Sequence, residues 1–288
     1  MKLLKKLATA AAVSFAMVGA AHADAVMNNW IFNPAGTGVA GGETVRQYLD
    51  INGNAFIQIA PTGGSSFSFT EHGVFSSVQA DGNSSNLFPV DYGRTITATF
   101  DATGSGTFNG GFSFNGGTIS IYSQDSSLKQ YGKTSDGIYG ANLGTLIATF
   151  DIIVGGGGVV DATGNPTNNG QVTVLAKATS PGGLKSGYFY NSAGTDLSSA
   201  DLLSFAFTNA NTYSNASDLL VSEVACQYSG FTGAGCGTGT YANSSSAFFV
   251  SNNGQFKLAE VPEPGSLALF GIAMLGAGVV SRKRASKV

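Results

Sequence analysis

His72 is the only imidazole between residues 24 and 260 of this 288-residue chain, so acid–base chemistry near neutral pH has one candidate centre there. It sits in Glu71-His72-Gly73, and a Ser-His-Asp site would need a carboxylate to hold it and a nucleophile to face it. No nucleophile-elbow sequence accompanies it, so a surface or rim histidine is the plainer expectation. Zinc chemistry wants two or three clustered His or Cys ligands, which a single His does not supply. Asp101, Asp151 and Asp161 could meet as paired carboxylates, but with 16 acids scattered over residues 24–260, solvated positions are expected. Gly155 to Gly158 lacks the Lys and Ser/Thr of a phosphate loop and reads as a flexible turn. The sequence predicts no catalytic residue, no metal ligand set and a non-enzymatic protein.

Binding chemistry has more candidates. Asp50-x-Asn52-x-Asn54 supplies oxygens at the first, third and fifth positions of a calcium loop. Ala55 and Pro61 stand where that loop requires Gly and Glu, which rejects an EF-hand. Asp161 to Asn169 is similarly oxygen-rich and reads as a turn, so no cofactor is expected beyond a minor prospect of structural calcium. Tyr188 and Tyr190 share one face of an alternating segment; they are the candidates for stacking on sugar rings, against packing in a core or interface. Trp30 is expected in the core. Cys226 and Cys236 are the only cysteines, and in an exported chain they predict a disulfide closing the loop Gln227 to Gly235.

The elements that must carry these residues are strands. Thr95 to Phe100, Thr118 to Tyr122 and Val172 to Leu175 alternate with period two, and several shorter runs do the same. Asn52-Gly53, Asp81-Gly82, Asn109-Gly110-Gly111, Asn115-Gly116-Gly117 and Asn169-Gly170 read as turns between them. The segment Thr95 to Asp101 echoes in Thr145 to Asp151, suggesting two similar hairpins with aliphatic residues inward and Thr outward. The expected fold is all-β, an antiparallel β-sandwich or jelly-roll-like body. Residues 24–260 hold seven basic and 16 acidic side chains, a net charge of −9, which argues against nucleic acid or anionic lipid as partner.

Both ends read as addresses. Lys2, Lys5 and Lys6, the apolar run Leu7 to Ala20 and the small residues Ala21 and Ala23 before Asp24 form a signal peptide over residues 1–23, cut by signal peptidase before Asp24. Residues 24–260 are then the exported β-rich domain. Residues 261–288 join Pro262-Glu263-Pro264, an uncharged span predicted to cross the inner membrane as a helix over 265–281, and the basic cluster Arg282, Lys283 and Arg284. That order resembles the PEP-CTERM sorting signal, which implies transient inner-membrane anchoring and removal of the tail by an exosortase. The body is similar to the flocculation-associated PEP-CTERM proteins in Tyr48 to Asn54, Cys226 to Cys236, Phe248-Phe249 and Asn253 to Phe256. This resemblance implies a cell-surface or matrix protein that works with extracellular polysaccharide in flocs or biofilm. The alternative from another class is a lectin-like carbohydrate-binding module with a defined site, and a hydrolase acting through His72 or Asp101 stands third.

Overall fold

The computed structural model describes residues 26–82, 87–90, 93–128, 130–167, 170–179 and 183–260. In them the alternating sequence becomes strands: β1 (Trp30–Phe32), β2 (Glu43–Val45), β3 (Tyr48–Gly63), β4 (Ser66–Asp81), β5 (Leu87–Pro89), β6 (Arg94–Thr107), β7 (Gly111–Asp125), β8 (Thr145–Ile152), β9 (Gly155–Val159), β10 (Gln171–Ala178), β11 (Phe189–Tyr190), β12 (Leu202–Thr212) and β13 (Ala247–Glu260). The signal peptide, the predicted span 265–281 and the rest of the sorting tail lie outside the described residues. Among the described residues no helix is long and apolar enough to cross a membrane.

Eight of these strands form the body. β3, β4, β6, β7, β8, β10, β12 and β13 neighbour one another in that order, and β13 pairs antiparallel with β3 from Ala247↔Gln58 to Lys257↔Tyr48. The body is antiparallel and all-β, as expected. Its two facing halves are joined along both edges, so the sandwich is closed into an up-and-down barrel. Closure removes the free edges that would recruit other strands. Register sends Leu49, Ile59, Phe67, Phe69, Phe100, Phe114, Phe150 and Phe256 inward, all buried. The outward positions of β12, β13 and β3 mix amides and hydroxyls (Asn52, Asn54, Asn209, Asn211, Ser251 and Asn253) with apolar side chains such as Phe56, Phe207 and Phe249.

Three glycine segments depart from the sequence reading, one of them Asn115-Gly116-Gly117, which lies inside β7 at a register shift against β6 and is not a turn. Asn52-Gly53 runs through the middle of β3 rather than forming a turn, because a Cβ on Gly53 would strike the Phe75 ring on β4. Gly155 to Gly158 is a strand rather than a flexible turn: β9 pairs with both β7 and β10 and continues the line of β8 past Ile153-Val154. Gly157, at φ 103°, lies where a Cβ would run into the Phe112 carbonyl oxygen. The echoed segments flank β7 in matching register, Phe100↔Ile119↔Phe150 and Asp101↔Thr118↔Asp151. Phe100 and Phe150 therefore sit at one level inside.

Both barrel ends are covered. At one end a small sheet, β11-β1-β2, brings together Trp30, Phe32 and Phe189, with ring centroids 5.1 to 6.3 Å apart. The Ser123 hydroxyl ties this cap down by donating to the Pro34 carbonyl at 2.6 Å. At the other end Gly164, from the segment bridged by Val160 and Pro166, rests on Ile59. A second core lies on the outer wall. Helix α1 (Asp218–Leu220), N-capped by the Ser217 hydroxyl, runs into a wider π-helical turn over Val221–Tyr228. Its Leu220, Val221, Val224 and Ala225 pack over Phe56, Val74, Ala247 and Phe249, which point out of β3, β4 and β13. Residues Val26–Ala259 form one compact unit.

Candidate binding face

Closure of the barrel creates a polar row that no single segment contains. β12, β13 and β3 are neighbours, and their outward side chains are Asn209 and Asn211, Ser251 and Asn253, and Asn52 and Asn54. Together with Tyr131 they line a shallow hollow of about 340 Å³. Asn253 Nδ2 donates to Asn52 Oδ1 at 2.6 Å, and the Ser251 hydroxyl donates to the Asn211 carbonyl at 3.4 Å, so the row is partly pre-ordered. Each amide still carries donor and acceptor capacity toward solvent. Beside the row, Phe207 is 44% exposed, and Lys257 Nζ lies 5.5 Å from its ring centroid and 5.6 Å from that of Tyr48. Burial, with Asp81 and Asp50 nearby, holds the Tyr48 hydroxyl above its usual pKa, so it stays a neutral donor. The sequence reading gives Asn52 and Asn54 as a calcium spacing and assigns Asn209, Asn211 and Asn253 no binding role. The available signal was the repeated Asn-x-Asn, which puts both amides of a strand on one face.

Asp50, Asn52 and Asn54 of the calcium spacing lie within β3 rather than in a loop, with a register shift between Asp50 and Ile51. The Asp161 stretch is a turn, as read: its Oδ1 accepts from the Thr163 and Asn165 amides at 2.7 and 3.0 Å and from the Thr163 hydroxyl at 2.7 Å.

His72 and Asp101 meet on the outer wall, which sequence spacing could not reveal. They are direct partners across β4 and β6, and His72 Nε2 donates to Asp101 Oδ2 at 3.0 Å. Tyr228 covers the imidazole edge-on, with centroids 4.9 Å apart. Burial lowers the His72 pKa despite the opposing pull of Asp101, which favours neutral imidazole at pH 7. Its other nitrogen, Nδ1, is buried with no hydrogen-bond partner among the described residues. A base relaying protons to a nucleophile would need that nitrogen in contact with one. The geometry is that of a cross-strand pair in which Tyr228 covers His72 while the Asp101 side chain stays 49% exposed.

Tyr188 and Tyr190 are each only 6% exposed, so the rings proposed for sugar stacking do not face solvent. The alternation argument left one face free, but β11 lies in the end cap, where the Tyr188 ring presses on Gly36 and Phe189 stacks on Trp30 at 6.3 Å. Trp30 is buried, as expected. Cys226 and Cys236 are bonded, with Cα atoms 5.5 Å apart, pinning the end of the helical turn to the loop that carries Phe231. Phe231 and Tyr241 then pack on Phe56, at 5.1 and 6.1 Å.

No curated protein and no solved structure matches the chain. A family model does match its end: residues 260–284 fit the PEP-CTERM protein-sorting motif, of which only Glu260 belongs to the described residues. The chain therefore carries a PEP-CTERM sorting signal, and the barrel is the exported body of a protein held at the membrane by its C-terminus until exosortase processing.

Proposed function

We propose that the barrel is a non-enzymatic, cofactor-free surface or matrix protein that associates with extracellular polysaccharide once its tail is removed, and so supports floc or biofilm formation. The observation that supports this reading is the outward amide row of Asn52, Asn209, Asn211 and Asn253 beside exposed Phe207. A polysaccharide offers a dense repeat of hydroxyls, which amides meet as both donor and acceptor, and its apolar sugar faces suit an exposed ring. Each contact is weak; a polymer engaging many copies gains by effective concentration. The net charge of −9 disfavours a polyanion, so a neutral polymer is the expected partner.

Two measurements test the reading. Cosedimentation of the full chain with the producing cells' polysaccharide is expected to fall at least several-fold in the triple variant Asn52→Ala, Asn209→Ala, Asn253→Ala, and unchanged retention would overturn the assignment of this face. Deleting residues 261–288 is expected to abolish cell-associated protein and aggregation together; aggregation that persists would separate the address from the role. The alternative, a defined lectin-like site, predicts one preferred glycan on an array, with Phe207→Ala removing it.

A further inference from the structure

The barrel interior is not filled. A cavity of about 100 Å³ runs inside it, walled by side chains such as Ile57, Phe75, Ile119, Val174 and Phe256. Eight strands leave an interior that side chains can either fill or leave open for one small ligand. Here several inward side chains, Ile57, Phe75 and Val172 among them, keep part of their surface unburied, and that surface faces the cavity.

Polar side chains interrupt the apolar wall at Glu71, Ser76, Ser77, Thr97, Thr208 and Asn252; Ser77 and Thr97 are satisfied by donating to the Asp50 and Ala141 carbonyls. Glu71 pairs with Ile57 on one side and Ala102 on the other, which turns its carboxyl inward while His72 turns outward. It has no hydrogen-bond or ion-pair partner among the described residues. Asn252 also lines the cavity; it is 6% exposed and its Nδ2 is buried without a partner among the described residues. Buried polar groups left unmatched are costly, and natural structures rarely keep them without use. Water alone is a poor answer at Glu71, because a stable buried water wants two to four polar contacts.

We propose that the barrel interior binds a small, elongated aliphatic molecule whose hydroxyl group hydrogen-bonds the Glu71 carboxyl. The volume sets the size: a dry apolar cavity of roughly 150 Å³ takes up benzene, so about 100 Å³ suits a chain of about five carbons. The carboxyl sets the polar group. A hydroxyl can donate to the carboxylate or accept from the carboxylic acid, so it fits either protonation state. An ammonium would have to shed its hydration inside an apolar wall, and a second carboxylate would be repelled. Burial that raises the Glu71 pKa to about 7 agrees with a carboxyl held away from bulk water.

The test uses the full chain in nanodiscs, methyl-labelled at isoleucine and valine, titrated with 1-pentanol and with its hydroxyl-free counterpart n-pentane. Both are expected to shift the Ile57, Ile119 and Val174 methyl resonances, with the alcohol about tenfold tighter, the worth of one good hydrogen bond. Glu71→Leu is expected to abolish that preference while folding normally, since it replaces a buried carboxyl by an apolar group. Glu71→Gln, which keeps both donor and acceptor, is expected to retain it. Absence of shifts at these methyls, equal affinity for the two probes, or a preference that survives Glu71→Leu would overturn the proposal.

Discussion

Glu71 makes the stability of this barrel depend on pH in a direction opposite to that of most carboxylates. The perturbation is Glu71→Gln, which keeps size and hydrogen-bonding capacity and removes the proton. In the folded chain burial raises the Glu71 pKa from 4.5 to about 7, and the unfolded chain returns it to the ordinary value. Between these values the folded state holds a proton that the unfolded state has released, so stability falls as pH rises through that window. About 2.5 pH units at 1.36 kcal/mol each is about 3 kcal/mol, present in full below pH 4.5 and gone above pH 7. Other carboxylates, such as Glu43, titrate alike in both proteins and cancel in the difference. Urea unfolding at pH 4 to 8 gives that difference directly. The wild type is expected to lose about 3 kcal/mol relative to Glu71→Gln between the ends of the range. A gap that stays constant with pH would show that the carboxyl reaches bulk water, and the inward register of β4 would be refuted.

Removing the disulfide with Cys226→Ser and Cys236→Ser is expected to cost about 3 kcal/mol in chemical denaturation, from the entropy of closing a short loop. Gly157→Ala is expected to cost about 2 kcal/mol or more, because the new methyl meets the Phe112 carbonyl at a backbone angle that alanine disfavours; a melting temperature within a degree of wild type would contradict the β8–β9 stave. Tyr188→Ala and Tyr190→Ala are expected to lower the melting temperature by several degrees and leave polysaccharide retention per folded molecule unchanged, since both rings are buried.

The antiparallel all-β body was legible because period-two alternation survives in Thr95 to Phe100 and Val172 to Leu175 whatever surrounds it. Strand lengths were not. β3 and β4 each continue far past the runs that alternation marks, and Asn52-Gly53, a turn dipeptide by type, stays extended within β3 with the Phe75 ring lying over the glycine. Local turn chemistry lost there to packing from the next strand. The amide face was hidden for a different reason. Asn52, Asn209 and Asn253 are remote in sequence, and only the closing of β13 on β3 and β12 makes them neighbours. His72 and Asp101 likewise became a pair through register alone. Glu71 and His72 are neighbours in sequence, but the pleat sends them to opposite faces, one into the cavity and one beneath Tyr228. The sorting motif needed no register, because Pro262-Glu263-Pro264, the uncharged span and Arg282 to Arg284 are recognised as a linear string.

Export followed by removal of the tail is the claim on which the proposed role rests, and intact-mass spectrometry of the protein recovered from outside the cell tests it most directly. The predicted result is a chain that begins at Asp24 and ends near Glu263, without Arg282, Lys283 or Arg284. A recovered chain that still carries its basic terminus would contradict it.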